Sequence, residues 1–220
     1  MAINQKRRQK KLMKKRQKDK ARKKNLTSSG PFTSLSIKKK ILTARSLPVY
    51  ECLVNPSWQE KGLAIVTVSR RQPDGNLLFG VYLVDVFCLG LKNTFCNADF
   101  SVWRYATEFH SRIYRDEDPV ECPISLAHHI IYGAIEFAEQ FGFKPHGDFK
   151  LSQFVLEDRN NIELCEDIEF GKDGQPFYIA GPDDNVEHIM KQLESTAGKE
   201  NFNFLYCSDE LPFHERQLNN

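Results

Sequence analysis

No stretch of this 220-residue chain holds the roughly eighteen consecutive apolar residues that a membrane span needs, so a transmembrane helix is not expected. Cysteine is sparse. The six, at 52, 88, 96, 122, 165 and 207, include no Cys-x2-Cys pair, which removes the disulfide-scaffold and zinc-finger classes. With no apolar leader either, they are expected to be reduced, mostly buried thiols in a cytoplasmic protein. A phosphate-binding loop is missing as well, because Gly171-Lys172-Asp173-Gly174 has its composition without its spacing and suits a hairpin turn better. Acidic side chains nearly vanish from the first fifty residues, where Asp19 stands alone. No catalytic signature and no cofactor motif is present.

What is there is a charge asymmetry. Residues 1–50 carry a balance of +16 and the remaining 170 a balance of −14, although the whole chain has a net charge of only +2. The density peaks over 6–24, where Lys6, Arg7, Arg8, Lys10, Lys11, Lys14, Lys15, Arg16, Lys18, Lys20, Arg22, Lys23 and Lys24 make 13 of 19 residues basic. The only apolar residues among them are Leu12, Met13 and Ala21, too few to bury a face or to anchor an amphipathic helix in a membrane. A disordered basic tail over 1–24 is expected. It suits closely spaced phosphates, as in RNA or a ribosome, since each cation that meets a phosphate releases counterions. With no aromatic side chain to stack on bases, little sequence preference is expected. The acidic body could equally take a basic protein partner.

Residues 25–48 read as a linker with a second basic knot at Lys38, Lys39 and Lys40, and 49–208 as one acidic domain before a flexible end at 209–220. Gly62–Arg71 and Leu77–Leu91 are apolar and β-branched around the turn Gln72-Pro73-Asp74-Gly75-Asn76, which predicts a long hairpin whose second strand is buried on both faces. Phe100–Tyr114 has near-helical spacing. Pro123–Phe141 is the clearest helix, with Ala127, Ile131, Ala134, Ala138 and Phe141 on one stripe and Gly142 as its stop. A second hairpin is expected around Gly171–Gln175, then a helix capped by Asp183 or Asp184, then a strand over Asn203–Cys207. The predicted class is α+β: about five mostly antiparallel strands, in two hairpins plus a C-terminal strand, with about three helices.

Asp85 is the most informative ionisable residue, because it interrupts the apolar run Leu83-Val84-Asp85-Val86-Phe87-Cys88, where a carboxylate needs a partner. Lys92 lies on the wrong parity to reach it unless Gly90 marks a bulge. Asp148-Phe149-Lys150 has the acid-x-Lys pattern of metal-dependent nucleases, although chance alone gives roughly 2.5 such triplets in this composition. The alternative to nucleic-acid association is therefore a metal-dependent hydrolase centred on Asp85, with Lys92, Asp148 and Lys172 as further candidates. His128 and His129, adjacent in a helix, diverge by about 100° and cannot share a metal, so one is expected in the core and one in solvent.

LVDVFCLGLK (83–92), FGFKPHGDF (141–149) and FGKDGQPFYIAGPDD (170–184), behind a Lys/Arg-rich start, resemble a family of uncharacterised bacterial proteins. The resemblance implies a bacterial cytoplasmic setting and one compact domain, and brings no catalytic residue with it. If its segments meet in space, Asp85, Lys92, His146, Asp148, Lys172, Asp173 and Asp183 would share one polar site.

Overall fold

The computed structural model describes residues 31–161 and 168–206. The expected tails at 1–24 and 209–220, together with Cys165 and Cys207, lie outside them. The class is α+β, and its centre is a five-stranded sheet of β1 (Val49–Val54), β2 (Leu63–Arg71), β3 (Leu77–Asp85), β4 (Gly90–Phe100) and β5 (Val120–Glu121), in the order β4-β3-β2-β1-β5. Every neighbouring pair is antiparallel. The β2–β3 hairpin closes where the sequence places it: the Asp74 carboxylate accepts the Asn76 N–H at 3.0 Å, and the Gln72 N–H donates to the Asn76 carbonyl at 2.8 Å.

β3 is buried on both faces, as its two-sided apolar pattern requires. Leu77, Phe79 and Val81 pack against Tyr105 and Phe109 of α3, a helix running from Val102 to Ile113 through a π turn at Tyr105–Phe109. Leu78, Tyr82 and Val84 lie buried on the opposite face. That face is covered by α4, which runs Ile124–His128, a π turn His129–Gly133 and Ala134–Gln140, and by α5 (Phe149–Ser152), whose Ser152 carbonyl accepts the Tyr82 hydroxyl at 2.8 Å. Each large apolar side chain so buried contributes about 1.5–3 kcal/mol. Arg70, only 1% exposed, is tolerated because its guanidinium donates to the carbonyls of Val155 (2.6 Å) and Leu47 (2.7 Å) and to Glu157 (2.7 Å). It fastens two connecting segments to the sheet. Among the described residues no helix is long and apolar enough to cross a membrane.

Four expectations are corrected. Leu77–Leu91 is not one strand: β3 ends at Asp85, Val86–Leu89 turn, and β4 starts at Gly90, the apolar run persisting because the turn itself is buried. The second hairpin does not form; of it there remains one Lys172–Gln175 bridge, while β6 (Phe177–Ile179) pairs in parallel with β7 (Asn203–Leu205). The Gly171 and Phe177 amides go instead to the Val86 and Phe87 carbonyls, at 3.0 Å each, so the buried turn takes the place of a hairpin partner. The segment read as a linker over 25–48 contains the helix α1 (Pro31–Leu42), and Ile41 and Ala44 are buried, so the folded body starts before Val49. Finally, α6 (Val186–Thr196) is capped by Asn185, which accepts the His188 N–H at 3.2 Å, and not by Asp183 or Asp184.

Candidate functional site

Two places gather polar groups. The first surrounds Asp85 at the end of β3, where its Oδ1 accepts the N–H groups of Phe87 (3.0 Å) and Cys88 (2.9 Å) and so fixes the turn into β4. Across the ladder Leu83 faces Asn93 and Val84 faces Leu91, which leaves Lys92 as the extra residue of a bulge. That bulge, not one at Gly90, breaks the alternation that put Lys92 out of reach. Lys92 Nζ binds the Asp184 carboxylate at 2.9 Å, and the same carboxylate accepts the Gly181 N–H at 2.9 Å and the Tyr178 hydroxyl at 3.3 Å. A cavity of about 210 Å³ opens among Lys61, at the end of the short helix α2 (Trp58–Lys61), Gly62, Asp85, Phe87, Lys92 and Gly181.

Burial raises the Asp85 carboxyl to about 6, against the pull of Lys92 and of the Cys88, Phe87 and Leu89 amides. Asp184 is also pushed up by burial, but Lys92 and the Gly181 amide outweigh this and hold it below the ordinary carboxylate value. The chemistry available is thus one carboxyl that titrates near neutrality beside an ammonium already paired with a second carboxylate. Both polar groups of the Asp85–Lys92 couple are committed to holding the β3–β4 turn and the segment before α6.

Of the sequence candidates, the structure brings Asp85 and Lys92 together and adds Asp184 where Asp183 was expected; Asp183 is exposed. Lys172 stands apart from that cavity, with its ammonium over the Phe87 and Phe177 rings at 5.4 and 4.8 Å. Asp173 is exposed in the turn, and its N–H goes to Glu169 at 2.8 Å. Asp148 precedes α5 with its side chain 74% exposed and 4.0 Å from His146, so the acid-x-Lys pattern lies on a solvent-facing helix start and lines neither cavity. Among the described residues no three His, Cys, Asp or Glu side chains stand close enough together to hold a metal ion.

Of the second place the sequence points only to His128 and His129. A cavity of about 460 Å³ is lined by His128, His129, Tyr132, Glu136, Phe137, Gln140, Arg159 and Phe170. His128 is buried, as one of the two was expected to be, and His129 is half-buried at the rim, so both line the cavity. His128 Nε2 and His129 Nδ1 are buried and accept or donate no hydrogen bond within the protein. Burial lowers His128 to about 4, so the imidazole stays neutral at physiological pH. The local signal is the adjacent histidines with Tyr132 and Phe137 on the same helix; Arg159 and Phe170, which complete the lining, come from distant segments. The basic residues from Lys6 to Lys24 lie outside the described residues. Comparisons with family models, with curated proteins and with solved structures find no match to this chain.

Proposed function

We propose that this protein associates with RNA or the ribosome through the basic segment Lys6–Lys24, making phosphate contacts without sequence preference and without catalysing a reaction. The observation that carries the proposal is the concentration of 13 cations into 19 residues ahead of a body with a balance of −14. Phosphate polymers reward such a segment through counterion release, and the acidic body limits indiscriminate binding by repelling the same phosphates. A cytoplasmic location follows from this partner. A metal-dependent hydrolase centred on Asp85 has less support, since Asp85 Oδ1 is occupied by two amides and Lys92 by Asp184.

The test is binding of a structured RNA to the full-length protein, and to a full-length variant with the 13 Lys and Arg of 6–24 changed to Gln, between 50 and 300 mM salt. If about six phosphates are neutralised, log K falls with log salt at a slope of about −5. The substituted protein is expected to lose both the binding and the slope. Equal affinity of the two proteins, or affinity indifferent to salt, would overturn the proposal.

A further inference from the structure

Cys52 and Cys122 face each other across the edge of the main sheet. β1 pairs with β5 through Leu53↔Glu121 and Val54↔Val120, and one step further the Cys122 N–H donates to the Cys52 carbonyl at 2.9 Å. This is the hydrogen-bonded register of an antiparallel pair, in which Cα atoms stand about 5.5 Å apart, inside the range of about 4.4–6.8 Å that a disulfide spans. The two sulfur atoms are 3.5 Å apart and both cysteines are free thiols. Closing to a covalent bond takes about 1.5 Å of sulfur movement, which side-chain rotation supplies without moving either strand. Cys96 sits on β4, three strands away from β1, and Cys88 is sealed in the core, so geometry selects this pair among the described cysteines.

We propose that Cys52 and Cys122 form a reversible disulfide, making the β1–β5 edge a modification site for peroxide-class oxidants. Access and polarity assign the roles. Cys122 is half-buried at the sheet margin, where an oxidant reaches it first, and Cys52 is buried; the hydrogen bond the two sulfurs share lowers Cys122 below the ordinary thiol value and, with burial, raises Cys52 above it. The Cys122 thiolate attacks one peroxide oxygen; the O–O bond breaks, hydroxide leaves, and Cys122 becomes a sulfenic acid. The Cys52 sulfur then attacks the Cys122 sulfur, the S–O bond breaks, and the departing oxygen takes the Cys52 proton to leave as water. Two thiols have supplied the two electrons that reduce one peroxide.

The bond has a structural consequence near the Asp85 cavity. β5 is only two residues long, and the segment leading into it carries Glu117, whose carboxylate accepts Ser57 (2.5 Å), Asn55 (3.0 Å) and Lys61 (3.3 Å). Lys61 also lines the cavity beside Asp85 and Lys92. A disulfide at Cys122 staples to β1 the end of the segment that carries Glu117.

The experiment is peroxide titration of the folded full-length protein, followed by intact mass, peptide mapping and hydrogen exchange. The expected result is a loss of about 2 Da, a Cys52–Cys122 linked peptide formed before Cys88 or Cys96 reacts, severalfold slower exchange at residues 120–122, and reversal by a dithiol reductant. Cys52→Ser should leave Cys122 as a sulfenic acid trappable by a 1,3-dione, and Cys122→Ser should leave no cross-link. The mass and mapping are read on the unsubstituted chain, so a variant that fails to fold removes nothing from the test. Cys122 oxidised beyond the sulfenic acid without a cross-link, or all cysteines reacting at one rate, would overturn the proposal.

Discussion

At the scale of single residues, two buried titratable groups push stability in opposite directions over the same pH range. Asp85 holds its proton in the folded state up to about 6, above its ordinary value of 3.8, so its contribution is present below the unfolded value and lost as pH rises through 6. His128 resists protonation down to about 4, below its ordinary 6.5, so its contribution is present above 6.5 and lost as pH falls toward 4. The two losses nearly cancel, and urea unfolding of the parent protein should show little pH dependence from these groups between about pH 4 and 6.5. Asp85→Asn keeps an oxygen for the Phe87 and Cys88 amides and removes the titration, so its stability relative to the parent should improve by about 3 kcal/mol from pH 4 to pH 7. His128→Leu should expose the opposite trend. A variant profile parallel to that of the parent would show that Asp85 does not titrate in this window and would remove the electrostatic account of the site.

At the scale of elements, turns were legible where their chemistry is local and illegible where it is tertiary. Gly75 and Gly90 both have left-handed backbones, with φ of +83° and +68°, but they differ in surroundings. A Cβ on Gly75 would meet nothing within 4 Å, whereas on Gly90 it would lie 2.8 Å from the Ala138 Cβ and 2.9 Å from the Ala134 carbonyl oxygen of α4. Gly75→Ala should therefore cost only the backbone strain, about 1–2 kcal/mol, and Gly90→Ala that plus overpacking, about 2–4 kcal/mol, as read by chemical unfolding. Equal costs would show that α4 yields freely at the contact. The same contrast explains what could be read in advance. Asp74 and Gly75 sit between two β-branched runs, so the β2–β3 hairpin is written in neighbouring residues, and so is the apolar stripe of α4. Asp173-Gly174 carries equal turn chemistry, yet its flanks find partners in Val86, Phe87 and β7, far off in sequence. Asp85 stood out because it breaks an apolar run, but its neighbours depended on the bulge at Lys92 and on Asp184, and the cavity at His128 and His129 is completed by Arg159 and Phe170 from distant segments; no local pattern encodes these.

At the scale of the whole molecule, charge and burial divide along the chain. Among the described residues burial begins at Ile41; from there on buried apolar residues lie in the sheet and the helices on its two faces, and in a second cluster of Cys88, Leu89, Tyr178, Ile189, Leu193 and Phe202. The cation-rich residues 6–24 precede all of it, with only three apolar residues of their own to offer a core. Stability and polyanion binding should therefore be separable. Changing the 13 Lys and Arg to Gln should leave the melting temperature within about 2 °C of the parent while RNA binding is lost, because 1 kcal/mol corresponds to roughly 2–4 °C at this size. Calorimetry of the two full-length proteins at one salt concentration decides it. A fall of more than about 4 °C would mean that the segment contributes a kcal/mol or more to the fold, and lost binding could then no longer be assigned to charge alone. An unchanged melting temperature with binding lost would leave charge as the cause, because the substitution removes the cations and nothing that holds the body together.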